Sequence, residues 1–439
     1  MSVTSPLGPL HAAYAASLAR AGDVALTVSV SRPGAATGRR AAGTPDIEML
    51  PWGVAMPEVS PSISVGGAPA EPTPVCEIIA SFGEVEAEYA AIRRGAGLLD
   101  SPHRGTLLVT GKDRVEFLDR MLTQELNGLA SGGTRESFWL NRKGRIDADV
   151  FVIELRDRML IDLDVANAAA AAKSLGEFVF TEDVEIRDAT EQFHHIAVHG
   201  RLARETIAAA CNEPDFELAI GAAKTITIDN AAVVVARRDQ TGETGFVLIM
   251  PRESAAGVWE FLRGADHIVG EDKRKVRPIG WHAFNIARVE TGEALFNIDF
   301  GPTNLPHQVG EMLPRRVSFT KGCYLGQEIV ARMHSRGHSK PTLVGLRMKA
   351  DLLPVAGAQV FAKPAAADGA PAGGLGEPIG VVTSSTISPM LGAAPIALAM
   401  LRATDVPGSI VLVNAEGEQA EATVAGMRAW PPPAKEEAA

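Results

Sequence analysis

A chain of 439 residues exceeds what one ordinary hydrophobic core organises, which implies two to four domains. Its 46% hydrophobic and 22% charged content is that of a globular protein, and no apolar run reaches the roughly 18 to 20 residues that a bilayer crossing needs. A net charge of -11 argues against a general nucleic-acid binder, and three widely spaced cysteines, Cys76, Cys211 and Cys323, form neither a disulfide framework nor a CxxC metal knuckle, as expected in a reducing cytoplasm.

Met1 to Leu10 carries no basic residue ahead of an apolar run, so no secretory leader is expected. Leu10, Ala13, Tyr14 and Leu18 share one face of a predicted helix that Gly22 ends. Ser29 to Pro74 is rich in Gly, Pro, Ala and Ser and reads as loop, with an apolar anchor at Met49 to Met56. A helix is predicted over Glu84 to Ala96, a strand over Thr106 to Thr110 and a helix over Arg114 to Leu122. The intervening Gly111-Lys112 lacks the first glycine and the Ser or Thr of a phosphate loop.

Ser137 to Leu140 and Ile146 to Glu154 read as a hairpin closed by Asn141-Arg142-Lys143-Gly144. Asp147 and Asp149 share one face of its second strand, where they serve either as general bases or amine binders, or as part of a solvated face. After an alanine-rich helix, Ala166 to Phe180, strands are expected near Val184 to Asp188, His194 to Gly200, Ala232 to Arg237 and Phe246 to Met250. The turn Asp239 to Gly245 sets Glu243 between two glycines, where its carboxylate can meet a ligand donor. Trp281 to Glu290 reads as a helix carrying Arg288.

The densest chemistry lies in Lys321-Gly-Cys-Tyr-Leu-Gly-Gln-Glu-Ile-Val-Ala-Arg332, where Leu325, Ile329 and Met333 line one helix face. Cys323 falls at or before the helix start, where free backbone N–H groups and Lys321 favour thiolate, although a free cysteine is as often a plain buried residue. Six basic residues, Arg315, Arg316, Lys321, Arg332, Arg336 and Lys340, face only Glu311 and Glu328 around this stretch, which suggests a small anionic ligand or a solvated positive face. Six short strands between Leu343 and Gly426 predict a small antiparallel barrel, followed by a Pro-rich tail expected to be disordered.

Lys321 to Glu328 resembles the signature of the YgfZ-type folate-binding proteins, relatives of the glycine-cleavage T-protein aminomethyltransferases. Arg93 to Gly105, Val109 to Phe117, Leu140 to Val152, Arg238 to Phe246, Arg288 with Glu290 and Gly292, and Gly380 to Pro395 resemble further runs of that family in the same order. The resemblance implies an α+β fold, a three-domain clover-leaf with a C-terminal antiparallel β-barrel. It would comprise interleaved domains at 1–95 with 192–270 and 96–191 with 271–339, a barrel at 340–428, a tail at 429–439, and an insertion near 28–48 outside the family pattern.

The same resemblance implies tetrahydrofolate or a reduced derivative as cofactor. Glu243 would hold the pterin and Arg288 would line the same central pocket, with Lys321, Tyr324, Gln327 and Glu328 as further cofactor-binding residues. Cys323 would be a functional thiol, because the T-protein branch has no counterpart, and no protein-bound metal is expected. The transferase branch carries a catalytic aspartate where this chain has Ala148, flanked by Asp147 and Asp149. The first implied function is therefore support of iron-sulfur cluster assembly or repair, with folate and iron-sulfur proteins or assembly factors as partners and neither nucleic acid nor membrane. The alternative is a tetrahydrofolate-dependent aminomethyl- or methyltransferase in which Asp147 or Asp149 replaces the missing acid. A third reading, a cysteine hydrolase with His334 or His338 as base, lacks an oxyanion motif.

Overall fold

The computed structural model describes residues 4–20, 47–53, 75–264, 276–336, 341–363, 376–402 and 407–431. His338, Lys340, residues 28–46 of the insertion and the tail from residue 432 lie outside the described residues.

Two sheets form the body of the protein. The first has six strands in the order Ala223–Ile228, Ala231–Arg237, Gly245–Pro251, Phe193–His199, Ala96–Asp100 and Val276–Ile279, antiparallel except for the last pair. The second is a five-stranded antiparallel sheet, in the order Thr134–Leu140, Ile146–Glu154, Met159–Asp164, Arg104–Thr110 and Glu185–Asp188. The chain thus leaves the first sheet after Asp100, builds the second, and returns at Phe193. Boundaries at 95/96 and 270/271 are corrected by this pairing. They assign Ala96–Asp100 and Val276–Ile279 to the second domain, whereas both strands hydrogen-bond within the first sheet.

Period-two alternation decides what each face does. On Ile146–Glu154, Ala148, Val150 and Val152 pack with Phe117, Leu118 and Ala168 of the overlying helices, while Phe151 and Ile153 turn the other way. They join Leu108 and Leu160 against Val234, Ala236, Val247 and Ile249 of the first sheet, so the two sheets pack face to face through an apolar layer. Each fully buried Leu, Ile, Val or Phe side chain in this layer contributes about 1.5–3 kcal/mol of transfer free energy. The outer face of the first sheet is covered by Ala203–Ala210 and Ala255–Gly264 through Ile207, Val258 and Trp259.

The expected C-terminal barrel is present as a closed ring of six antiparallel strands, ordered Thr342–Met348, Ala394–Leu401, Pro378–Ser388, Gln359–Ala362, Ile410–Ala415 and Glu418–Ala425. Leu343, Ile396 and Leu398 share one apolar cluster with Phe138, Val289 and Met312, which joins the barrel to the body. Beyond the barrel the chain returns to the helix Trp281–Thr291, and the backbone N–H groups of Ala429 and Trp430 donate to the Glu290 carbonyl at 2.7 and 2.8 Å. The Met49 to Met56 anchor is a strand where it is described. Glu48–Trp52 pairs antiparallel with Cys76–Ser81, Trp52 opposite Cys76.

Candidate functional site

The apolar layer between the sheets gives way near the strand ends to a polar cavity of about 40 Å³. The residues that face it follow from the alternation just described: Asp149, Asp162 and Asp164 from the five-stranded sheet, and His195 and His199 from the six-stranded one. Arg104, His103, Arg238, Gln240, Phe284 and Trp52 complete much of the wall.

Asp162 is fully buried and accepts from Arg104 Nε at 2.7 Å and Arg238 Nη1 at 3.0 Å. Burial alone would raise its carboxyl, but the Arg104 guanidinium, with His195 and Arg238, outweighs burial and holds it below the usual carboxylate range. Asp149 is gripped by Arg316, whose Nε and Nη2 lie 3.0 and 3.3 Å from its two oxygens. Arg316 is itself buried and also reaches Glu136 at 3.1 Å and Glu293 at 3.5 Å. Asp164 caps the helix Val165–Gly176 through the Ala166 N–H and accepts Trp52 Nε1–H at 3.1 Å, and burial raises its pKa.

Three imidazoles are kept neutral by burial, His195 and His199 at about 4 and His103 at about 3, Arg104 adding to the effect at His103. His195 Nε2 shares a hydrogen bond with Thr106 Oγ1 at 2.7 Å. Neither ring nitrogen of His199 has a hydrogen-bond partner among the described residues, although the side chain is fully buried and faces the cavity. A buried polar group left in that state calls for a ligand or ordered water. The cavity therefore offers carboxylate acceptors, neutral imidazoles and apolar rings within a nearly charge-balanced wall.

Of the residues expected to form the site, Asp149 alone lines this cavity. Asp147, on the same strand, accepts from Asn141 Nδ2 at 2.8 Å, and burial raises its pKa. Ala148 faces the opposite side, in the apolar cluster beneath the helices. Glu243 lies 3.8 Å from Arg93, on the loop whose residues Arg238 and Gln240 do line the cavity, and burial raises its pKa against the pull of Arg93 and Arg201. Arg288 does not line it. Its buried guanidinium joins Asp299 at 2.8 Å, the Glu293 carbonyl at 3.1 Å and Ser384 Oγ of the barrel at 2.7 Å.

The Lys321 to Arg332 stretch stands apart from the cavity wall. Lys321 Nζ is buried and donates to the carbonyls of Asp119, Leu122 and Gln124 at 2.5, 3.0 and 2.9 Å, so it ties this turn to the end of the helix Arg114–Met121. Tyr324 is buried with Phe138 and Val330, and burial pushes its hydroxyl up to about 12. The helix begins at Gln327, whose amide donates to the Gly322 carbonyl at 3.5 Å, and Glu328 is exposed and paired with Arg332 at 2.9 Å. Cys323 is exposed in the turn before that helix. Gly326, with φ +80°, explains the close docking, since a Cβ there would lie 2.9 Å from the Asn141 carbonyl of the hairpin loop.

Among the described residues of the basic segment, Arg315, Arg316, Lys321 and Arg332 are each engaged by carboxylates or carbonyls of the chain rather than converging on a shared anion site. Residues that sequence reasoning passed over, Trp52, His103, Arg104, Asp162, Asp164, His195, His199 and Arg238, supply most of the polar wall. A signal was present: Asp162 and Asp164, and His195 and His199, sit at even spacing in largely apolar strands.

Two packed sheets, a connected closed barrel and a buried polar cavity between the sheets define a two-layer body with a C-terminal barrel, the class built around a central inter-sheet site. Residues 70–321 match the family model described as the GCVT N-terminal domain, and residues 342–429 match the glycine cleavage T-protein C-terminal barrel domain. The chain belongs to the glycine cleavage T-protein family. It is 30% identical over 322 residues to the aminomethyltransferase of Streptomyces coelicolor, covering 72% of this chain and 81% of that protein. It is 30% identical over 352 residues to the aminomethyltransferase of Cutibacterium acnes, covering 77% and 88%. The solved glycine cleavage system aminomethyltransferase T of Bartonella henselae superposes with a TM-score of 0.70 at 25% identity, over 82% of this chain and 93% of that one. The fold is thus the clover-leaf of the T-protein type, with an antiparallel barrel at its C-terminal end.

Proposed function

We propose that this chain binds a reduced folate between its two sheets and acts as a tetrahydrofolate-dependent transferase of the aminomethyltransferase type. Members of this family use tetrahydrofolate as substrate or cofactor. The observation that carries the reading is Asp149. The residue matching the transferase acid is Ala148, which faces the apolar core, and the neighbouring carboxylate of Asp149 faces the cavity. Asp149 thereby becomes the residue that stands in for that acid.

The donor set suits a pterin, whose amino and ring N–H groups pair with carboxylates. Asp164 on the cavity wall, joined by Glu243 once the loop that carries it moves toward the ligand, would hold those groups, and the neutral His195 and His199 would meet its remaining polar edge. The space does not suit it while the Trp52 indole forms part of the wall. A volume of about 40 Å³ holds a few waters, at roughly 10–15 Å³ of such volume each. When bound, the folate would supply the nitrogen atoms that carry the one-carbon unit. The chain's own part is to exclude water and to fix the carboxylate of Asp149 with Arg316. Calorimetric titration with 5-formyltetrahydrofolate tests the binding, which Glu243→Ala should weaken. Turnover with an amine donor should collapse in Asp149→Asn, and turnover untouched by that change would sink the transferase reading.

The second reading, a YgfZ-type protein supporting iron-sulfur cluster assembly or repair, is favoured by Cys323. The thiol is exposed in a turn fixed by Lys321 and Gly326, as an interaction with a partner protein would need. It predicts that Cys323→Ser leaves folate binding intact yet fails to restore iron-sulfur enzyme activity in cells lacking this protein. Full restoration would remove it.

A further inference from the structure

One wall of the cavity comes from outside the region that matches the family models, which begins at residue 70. Trp52 ends the strand Glu48–Trp52, and its indole packs against His103 with ring centroids 4.7 Å apart and against Trp281 at 4.9 Å. Its Nε1–H points at the buried Asp164 carboxylate, 3.1 Å away. Gly53, with φ +68°, lets the chain turn there against Val75 and Ala166, so the ring is held at the N-terminal end of the Asp164-capped helix. A fused bicyclic ring carrying an N–H, tilted against one aromatic ring, edge-on to another and aimed at a carboxylate, has the shape and polarity of the head of a bicyclic ring ligand.

The strand that brings this ring in stands outside the two large sheets. Among the described residues its sheet partner is Cys76–Ser81, its residues are exposed or half-buried, Leu50 and Trp52 are only partly buried where they pack on the apolar cluster around Ile78, Trp281 and Phe284, and a two-stranded pairing adds little stability of its own in water. The cavity floor, by contrast, belongs to the five- and six-stranded sheets. Opening at the strand is therefore much easier than opening at the floor.

We propose that Trp52 is an intramolecular occupant of the ring slot: its indole stands where a pterin-like bicyclic ring enters, Asp164 accepts the ring N–H of either, and the strand Glu48–Trp52 swings out when the ligand binds. The identity of the ring rests on the folate reading above; the occupancy by Trp52 does not. Because a binding-competent state populated only in part weakens apparent affinity by that fraction, removing the indole strengthens binding.

The test titrates the full-length protein and its Trp52→Ala variant with free indole and, separately, with 5-formyltetrahydrofolate. The expected result is that Trp52→Ala takes up indole, which the parent protein does not, and binds the folate at least about tenfold more tightly. Uptake of indole without any folate binding keeps the Trp52 assignment and overturns the folate reading instead. Failure of the folded variant to bind indole, or equal folate affinity in the two proteins, overturns the assignment. Should Trp52→Ala not fold, Trp52→Phe decides the matter. It keeps a ring but gives Asp164 no N–H, so a folate affinity gain of about threefold is expected, and no gain overturns the assignment.

Discussion

Replacing Arg316 by methionine removes a cation on which three carboxylates converge. Arg316 has a side-chain exposure of 1% and reaches Asp149 at 3.0 Å, Glu136 at 3.1 Å and Glu293 at 3.5 Å. Breaking a buried ion pair by deleting one partner costs about 3–5 kcal/mol, because the remaining charge keeps its burial without compensation. Glu136 and Glu293 retain Arg315 as a second partner, and Asp149 faces the cavity, so the lower end of that range applies. At a urea slope of about 2 kcal/mol/M, a loss of about 3 kcal/mol moves the unfolding midpoint down by about 1.5 M.

The effect carries a pH signature. Burial would raise the Glu136 carboxyl, but Arg316, Arg315 and Arg238 outweigh it and hold it at about 2. A carboxyl depressed on folding contributes stability that is complete above its unfolded value, about 4.3, and is lost as pH falls toward 2. The gap between parent and Arg316→Met should thus be constant from pH 7 to about 5 and narrow below about 4.3. Urea melts followed by circular dichroism across that range provide the measurement. A midpoint shift under about 0.5 M at pH 7, or a gap that widens on acidification, would refute the reasoning.

The buried histidines give a pH dependence of the same sign in a window that opens at higher pH. His199 is lowered to about 4 by burial, so the unfolded chain binds the extra proton between about 6.5 and 4 and stability falls as pH drops through that window. His199→Phe should flatten this slope by nearly one proton, measured as urea midpoint against pH; an unchanged slope would count against a neutral buried ring. Among the thiols, Cys323 is exposed, whereas Cys76 is buried and its pKa is raised to about 12, chiefly by burial. A thiol-exchange reagent should modify one thiol rapidly in the native protein, and Cys323→Ser should abolish that phase.

What the sequence revealed follows the range of the interactions involved. The barrel was legible because its strands are short, close in sequence and separated by turn residues, so local signals suffice. The facing of Asp147 and Asp149 was legible through alternation alone. The membership of Ala96–Asp100 and Val276–Ile279 in one sheet was not, since that parallel pair joins segments far apart in the chain. The cavity was hidden for a related reason: each strand contributes only one or two polar side chains, and only their pairing puts them together. Lys321 misled because a lysine beside a cysteine and glycines resembles a ligand-binding group, whereas carbonyls at the end of a neighbouring helix engage its ammonium.

The return of the chain to Glu290 has a consequence for synthesis. Arg93 is held by Glu290 at 2.5 Å and by the Thr241 carbonyl at 2.6 Å, and its guanidinium lies 4.2 Å from the centre of the Trp430 ring. The Glu290 backbone in turn receives Ala429 and Trp430. Parts made early therefore wait for one made much later in the chain. The two sheets can collapse on the ribosome, but the clasp around Arg93, beside the Glu243 loop, closes only once the segment carrying Trp430 has emerged.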